Sequence, residues 1–495
     1  MMFSSSAISN ISIMAMCIIK FQFPFNSFGY WIAVIDICKK LLSLNLNMTQ
    51  NELKISKGID FTIIILYLIL VCIGITCIFS VEHKPDDDIL GNILKFNTNY
   101  AKQILFACIG LLVGTFILLT DSKFFSAMAN LFYAFGIMLM LATFVLGKNV
   151  NGSSSWIPLG FMNLQPAELC KIFVALAIAK YLSRSDTDFG KPRSQLIAAV
   201  ICLSPAILSI LQKETGLALV YFSFIFVLFR EGLPSIYLIS AAFLGVLGVA
   251  SLVVDTNVLT IILLVIGVIA FLLLKRRMRR NRFMLLFLVG GLFFSIGTQR
   301  YAVPYVLNNV FKCYQSTRIL ALVGEEYDCS QNKESKLAEA DENKKAPRKT
   351  DDYNVRQSKM AIGSGGFWGK GFLKGTVTQG SFVPEQHTDF IFTALGESFG
   401  FWGSVILAGL YLTLLIVIIN VAERQKSTFS RIYAYGVASV IFFHVSINML
   451  MTMGLAPVIG IPLPLMSYGG SSLLTFTIML FILVRLDADR QLNVR

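Results

Sequence analysis

Long apolar runs separated by short polar segments dominate the chain after residue 60. A helix needs about 20 apolar residues to cross the hydrocarbon layer of a membrane. Twelve runs approach that length, at about 61–80, 103–120, 124–146, 166–183, 195–211, 215–230, 235–254, 257–274, 283–299, 390–420, 432–453 and 470–486. The pattern therefore predicts an all-α polytopic membrane protein with about twelve transmembrane helices.

Composition supports this class and excludes a soluble domain. Of the 495 residues 55% are hydrophobic and 14% are charged, whereas soluble domains are less apolar and more highly charged. The net charge of +13 would suggest a nucleic-acid partner in a soluble protein, but the basic residues here lie between the apolar runs. Such residues report topology, so we expect no nucleic-acid partner.

Basic residues in two short loops predict the orientation. The segment 275–282 contains six of them and the segment 180–195 contains four. Cytoplasmic loops are enriched in Lys and Arg, so both loops are predicted to face the cytoplasm. Counting helices outward from either loop places both ends of the twelve-helix unit in the cytoplasm. The predicted outer segments are 81–102, 147–165, 300–389 and 454–469.

The predicted organisation has four parts: an N-terminal extension at 1–47, helices 1–9 within 48–299, a large extracytoplasmic loop at 300–389, and helices 10–12 within 390–495. The apolar stretches of the extension are short, and no basic segment precedes them as a signal peptide requires. Met48 is one candidate for the natural start. An interfacial helix on the inner face is the alternative.

The large loop is too long to be a simple connection. Its segment 325–352 holds nine acidic and six basic residues, and a segment so poor in apolar residues cannot build a core. We expect it to be a mobile insert. Cys313 and Cys329 lie in the same loop, where an oxidising compartment would favour a disulfide, although two free thiols are equally compatible with the sequence.

A glycine-rich segment, "IGSGGFWGKGFLKGTVTQG", follows at 362–380. Glycine permits close backbone approach to a ligand, and Lys370 and Lys374 supply positive charge. The spacing matches neither a Walker motif nor a dinucleotide fingerprint. A plain flexible loop therefore remains the competing interpretation.

Other ionisable groups lie near the predicted outer ends of helices. Glu168 and Lys171 are three residues apart, on one face of a helix, and Glu214 lies between two runs. Charged groups within a span face a partner or a wet cavity, so the Glu168–Lys171 pair can be structural or functional. Asp389 directly precedes an apolar run, where it could cap the helix or serve an amphiphilic substrate.

Five segments together resemble the successive motifs of the SEDS family, which includes RodA and FtsW, and the last two are more similar to RodA. The resemblance extends from about residue 60 to residue 487, in the order of the family. The segments are "NGSSSWIPLGFMNLQPAELCK", "LQKETGLALV", "QSKMAIGSGGFWGKGFLKGT", "FVPEQHTDFIF" and "GIPLPLMSYGGSSLL".

The resemblance implies a peptidoglycan glycosyltransferase that polymerises lipid II on the outer face of the bacterial inner membrane, in elongation and shape maintenance. It implies that Asp389 is catalytic. The residues expected to bind substrate are Trp156, Glu168, Lys171, Glu214, Lys370, Glu385, His387 and Ser467. Three features depart from the family pattern: Ser155 replaces a basic residue, Lys213 replaces a proline, and two spans near 235–274 are added to a core of ten.

Glycosyl transfer needs a base for the acceptor hydroxyl and cations for the leaving diphosphate. Asp389 fits the first role, and Lys171 and Lys370 fit the second. A divalent cation, Mg²⁺ or Mn²⁺, could accompany the diphosphate, and no organic cofactor is expected. The resemblance implies as partners lipid II, the undecaprenyl-diphosphate-linked glycan, a class B penicillin-binding protein transpeptidase and other membrane proteins of the elongation complex.

Three alternatives remain at this point. A flippase or transporter of lipid-linked precursor also has many spans and broken helices, but it should need ionisable groups at the midplane. An FtsW-like division polymerase and a non-catalytic scaffold are the other two.

Overall fold

A computed structural model describes residues 60–490 except 85–90, 93–95, 97, 151–152, 159–162, 213, 281, 306–307 and 309–349. Several predictions concern residues outside this part of the chain and stay predictions. They are the N-terminal extension with Met48, the insert as far as residue 349, and the pairing of Cys313 with Cys329.

The described chain is helical apart from one small antiparallel sheet. The sheet consists of β1 (Lys148–Val150), β2 (Ser153–Pro158) and β3 (Asn163–Leu164), in that order. The helices before it are α1 (Phe61–Glu82), α2 (Asn99–Leu119) and α3 (Ser122–Leu146). The helices after it are α4 (Pro166–Leu182), α5 (Pro192–Leu211), α6 (Thr215–Phe222), α7 (Ile225–Arg230), α8 (Ser235–Val253), α9 (Thr256–Arg280), α10 (Arg282–Gly297), a π-helix (Thr298–Ala302), α11 (Val303–Tyr305), α12 (Thr350–Gly365), α13 (Thr376–Gln379), α14 (Ile391–Arg424), α15 (Thr428–Thr452) and α16 (Gly470–Ala488).

Each predicted apolar run coincides with one of these helices, or with the consecutive pair α6 and α7. Eight of the described helices are long and apolar enough to cross a membrane by length and composition. The polytopic all-α prediction is therefore confirmed. Helix α12 begins at Thr350, within the last residues of the predicted insert 325–352; the rest of the insert lies outside the described residues.

Local sequence sets the ends of several helices. The Asp60 side chain accepts a 3.0 Å hydrogen bond from the Thr62 amide and caps α1. Proline occupies the first position of α4 and of α5, where its missing N–H costs no helical hydrogen bond. Gly400 interrupts α14 with φ +64° and ψ −155°. This conformation is open to glycine and strained for other residues, so α14 bends there.

The centre of the bundle is α4, which packs against α3, α5, α15 and α16. Twelve of its residues are buried, and two of these twelve are charged, Glu168 and Lys171. Close backbone approach adds to this packing, since a Cβ at Gly74 of α1 would lie 2.6 Å from the backbone of Met466. By contrast α8 and α9 expose most of their large apolar side chains, as lipid-facing helices do.

Polar groups collect at the two ends of the bundle. At the motif end, defined by the described residues of 147–165, 212–214, 380–390 and 453–469, irregular segments meet one another: Ser155 contacts Glu214, and Tyr468 contacts His387. At the opposite end the Arg424 guanidinium pairs with Asp60 at 2.8 Å and with Asp487, and Arg431 pairs with Glu231 at 2.9 Å. These ion pairs join helices that are far apart in the chain.

Candidate active site at the motif end

The small sheet brings Trp156 and Glu214 to the same region. Trp156 lies in β2 and is half-buried. The hydroxyl of the preceding residue, Ser155, donates a 2.8 Å hydrogen bond to the Glu214 carboxylate. Ser155, one of the departures from the family pattern, therefore contacts Glu214 directly. Its neutral hydroxyl lies where the family pattern led us to expect a basic residue.

Glu168 and Lys171 form a buried ion pair of 2.7 Å. The Lys171 ammonium also lies 3.0 Å from His444 Nε2 on α15 and 5.2 Å from the centroid of the Phe476 ring. His444 Nδ1 is 2.9 Å from the carbonyl oxygen of Val440. A carbonyl only accepts, so Nδ1 carries the proton and Nε2 accepts from Lys171. The positive charge is thus held between a carboxylate, an imidazole and an aromatic face.

Three consecutive backbone carbonyls before α14 are each held by a donor from another segment. The Tyr468 amide donates to the carbonyl of His387 at 2.7 Å. The Ser467 hydroxyl donates to the carbonyl of Thr388 at 2.6 Å. The Asn448 side-chain amide donates to the carbonyl of Asp389 at 2.8 Å. This arrangement, which we call the carbonyl clamp, fixes the backbone that presents the Asp389 side chain.

The Asp389 carboxylate faces Gly460. A Cβ placed on Gly460 would lie 3.3 Å from Asp389 Oδ2, and Gly460 has φ +76°. A side chain there would be strained and would crowd the carboxylate. The N-cap position of α14 is Phe390, one residue after Asp389, so Asp389 does not occupy the cap position that one interpretation of the sequence gave it. Asp389 itself lies in the turn that precedes the helix.

The glycine-rich segment packs against α14, and its glycines approach protein backbone. A Cβ at Gly365 would lie 2.2 Å from the carbonyl oxygen of Gly396, and one at Gly369 would lie 2.3 Å from that of Ser398. The buried Glu397 carboxylate accepts hydrogen bonds from the amides of Val377 at 3.0 Å and Thr378 at 2.9 Å. The interpretation as a plain flexible loop, which rested on spacing, is therefore wrong, because Glu397 and the backbone of α14 hold the segment.

Lys370 is part of this anchoring. Its ammonium donates to Glu397 Oε1 at 2.7 Å and to Thr376 Oγ1 at 2.6 Å. The charge expected to stabilise a leaving diphosphate is thus already paired with a carboxylate. Lys370 remains a predicted substrate contact, but the structure places it at the loop anchor rather than in the carbonyl clamp.

The remaining predicted residues divide into two groups. Ser467 and His387 belong to the carbonyl clamp through the contacts given above. Glu385 is exposed, has φ +53°, and its carboxylate accepts from the Thr388 hydroxyl at 2.9 Å. The structure therefore brings Asp389, His387 and Ser467 together, while Glu168 and Lys171 form a separate buried pair.

Sequence reasoning missed the residues of α15 that connect these two groups. His444 touches Lys171, and Asn448 holds Asp389. They are four residues apart and both fully buried, so they lie on one helix face about 6 Å apart along the axis. The signal was present, because His444, Asn448 and Thr452 are polar residues at four-residue spacing inside an apolar helix.

Carboxylates that could hold a metal are sparse in this region. Across the described ranges, no group of three or more His, Cys, Asp and Glu side chains is placed to hold a metal ion. Magnesium is commonly bound by one or two carboxylates together with substrate phosphates. A single carboxylate such as Asp389 fits that manner of binding and does not fit an all-protein metal cage.

The fold and the site define a polytopic helical membrane protein with the Asp389 carboxylate at the start of α14, at one end of its bundle. The profile of the FtsW/RodA/SpoVE family of cell cycle proteins matches residues 60–287 and 252–492. The chain belongs to this family, the SEDS family that its motifs resemble.

Named relatives and solved structures agree with this assignment. The chain is 30% identical over 459 residues to the peptidoglycan glycosyltransferase RodA of Treponema pallidum, covering 88% of this chain and 98% of that protein. It is 30% identical over 384 residues to the peptidoglycan glycosyltransferase MrdB of Escherichia coli K12, covering 77% and 84%.

Two solved structures share the fold. One belongs to a study of how a peptidoglycan synthase complex coordinates polymerisation and crosslinking, with a TM-score of 0.60, 22% identity and coverage of 88% and 98%. The other is the rod shape determining protein RodA of Thermus thermophilus, with a TM-score of 0.54, 23% identity and coverage of 88% and 99%.

Proposed function

We propose that this chain is a peptidoglycan glycosyltransferase that polymerises lipid II into glycan strands during cell-wall elongation. Family membership and the relatives named peptidoglycan glycosyltransferase support the reaction class. The relatives named RodA and MrdB support elongation rather than division.

One observation supports the mechanism above the others: the carbonyl clamp presents the Asp389 carboxylate at the point where the apolar helix α14 begins. A lipid-anchored sugar has its tail in the hydrocarbon and its sugar in water, so its reacting carbon meets the protein at such a boundary. Groups held in place before the reaction need no reorganisation during it.

In the proposed step, Asp389 accepts the proton of the acceptor hydroxyl. The oxygen of that hydroxyl bonds to the anomeric carbon of the donor sugar at the same time. The bond from that carbon to the undecaprenyl diphosphate breaks, and the diphosphate leaves with the electron pair. A single displacement inverts the configuration at the anomeric carbon and forms no covalent glycosyl-enzyme.

The negative charge of the leaving group needs a cation, and Lys171 and Lys370 are both paired with carboxylates. A divalent cation, Mg²⁺ or Mn²⁺, would supply part of this charge, and the diphosphate together with Asp389 would hold it. Such an ion supplies charge stabilisation when it is bound. No organic cofactor is needed for this chemistry.

The proposed setting is the bacterial inner membrane, with the motif end on the outer face and both ends of the helical unit in the cytoplasm. The basic loops of the sequence support this orientation. The proposed partners are a class B penicillin-binding protein transpeptidase and other membrane proteins of the elongation complex, and the fold shared with a chain from a peptidoglycan synthase complex supports the first of these.

A direct test uses the purified full-length protein in detergent with lipid II and Mg²⁺ or Mn²⁺. We expect glycan polymer on a denaturing gel, and at least about 100-fold less from Asp389→Asn protein. A flippase has no membrane to act across in this assay, so the absence of polymer from well-folded parent protein would contradict the proposal.

A further inference from the structure

Gln103 is a fully buried polar residue of α2, inside a segment predicted to span the membrane. Its Nε2 donates to the carbonyl of Ser467 at 3.1 Å. Its Oε1 accepts from the amide of Gly469 at 3.2 Å. Both ends of one side-chain amide therefore bind the backbone of the loop that precedes α16.

The same loop supplies two of the three donors of the carbonyl clamp. The hydroxyl of Ser467 and the amide of Tyr468 hold the carbonyls of Thr388 and His387. Gln103 binds the backbone on either side of Tyr468. A shift of this loop would move both donors and, through them, the backbone of Asp389.

Helix packing alone does not require a glutamine at this position. Burying an amide in an apolar setting costs free energy unless its hydrogen bonds are made, and an apolar residue of similar size would pack α2 against α16 without that cost. Phe106, one turn further along α2, already packs closely at Gly470, where a Cβ would lie 2.9 Å from the ring. The polar contacts of Gln103 therefore hold the backbone of the loop Ser467–Gly469 in place.

We propose that Gln103 is a positioning residue for glycosyl transfer, which acts through Ser467–Gly469 and the carbonyl clamp on the orientation of Asp389. This inference rests on the proposed function. It predicts a loss in the chemical step rather than in substrate binding, because Gln103 contacts the loop and not the reacting groups.

The test compares Gln103→Met, which keeps length and removes both hydrogen-bonding groups, with Gln425→Met. Gln425 is a buried glutamine at the opposite end, where its Nε2 donates to Asp487 at 2.8 Å. We expect Gln103→Met to lower the kcat of lipid II polymerisation at least about 10-fold, because small misplacements of a catalytic group carry such costs. KM should stay within about 2-fold of the parent value, because the substitution removes no contact between the protein and the bound substrate. Gln425→Met should leave kcat near the parent value.

Two further measurements separate positioning from a merely structural role. In an Asp389→Asn background, Gln103→Met should reduce the residual rate by no more than about 2-fold, because the group that it positions is already disabled. Hydrogen exchange of peptides covering 383–391 should accelerate in Gln103→Met and not in Gln425→Met.

An unchanged kcat in Gln103→Met would overturn the inference, and so would a full additional loss in the Asp389→Asn background or unchanged exchange at 383–391. If the parent protein itself makes no polymer, the proposed function fails instead. The exchange measurement then still decides whether Gln103 controls the clamp.

Discussion

The Lys370 ammonium donates a 2.7 Å hydrogen bond to the carboxylate of Glu397, whose side chain is fully buried. This pair fixes the glycine-rich segment onto the first part of α14. Lys370 was expected to stabilise the charge of a leaving group, whereas this contact indicates that it organises the loop.

The pair can be tested by removing its charged partner. Lys370→Met should lower the free energy of unfolding by about 1–3 kcal/mol, because it leaves a buried carboxylate short of a donor. The midpoint of thermal unfolding in detergent measures the effect. Lys374→Met, an exposed lysine of the same segment, is the matched control and should unfold as the parent does. Equal midpoints for both variants would contradict the anchoring role.

Asp389→Asn tests the general base. Asn cannot accept the proton of the acceptor hydroxyl, and general-base catalysis contributes about 10²–10⁴-fold. Polymerisation should therefore fall at least about 100-fold while the protein inserts and unfolds like the parent. Glu423→Gln, at the opposite end, is the control for loss of a carboxylate. Near-parent activity of Asp389→Asn would move the search for the base to Glu385 or Glu214.

Gly460→Ala tests the space in front of the carboxylate. The new methyl group would lie 3.3 Å from Asp389 Oδ2, on a residue with φ +76°. Activity should fall by at least about 10-fold through displacement of the carboxylate. Gly409→Ala, where a Cβ meets nothing within 4 Å, should retain activity. Equal rates for the two variants would show that the approach of Gly460 to Asp389 is unimportant.

A single and a double variant distinguish a structural from a functional role of the Glu168–Lys171 ion pair. Lys171→Met leaves Glu168 buried without its partner and should destabilise the protein by about 3–5 kcal/mol. Glu168→Gln/Lys171→Met removes both charges and should recover much of that stability. Recovery of polymerisation in the double variant would show a structural pair. A stable but inactive double variant would show that the charges serve the reaction.

Orientation is testable without reference to activity. A cysteine introduced at position 340 should react with an impermeant thiol reagent from outside the cell, and one at position 281 should not. Both positions lie outside the described residues, and the expectation follows from the basic loops alone. The reverse labelling pattern would place the motif end in the cytoplasm and overturn the proposed site of lipid II polymerisation.

The sequence by itself determined the class of protein and the positions of the helices. Apolar runs of helical length leave few alternatives, because backbone polar groups in lipid must be satisfied within a helix or a closed barrel. The ordered motifs likewise identified the family and made Asp389 the candidate for the general base. The Glu168–Lys171 contact was also predictable, since residues three apart on a helix are neighbours.

Only the tertiary structure decided how these residues are supported. Gln103 and Ser467 are separated by 364 positions in the chain, and Asn448 and Asp389 by 59, so no periodicity relates them. From the sequence alone, Lys370 was a candidate to bind a phosphate. In the structure its ammonium is paired with the Glu397 carboxylate. The local sequence allowed Asp389 at the N-cap of α14, whereas in the structure Phe390 occupies that position. Local sequence specifies helices through backbone geometry and apolar spacing, whereas pairing of charges and clamping of carbonyls depend on which helices meet.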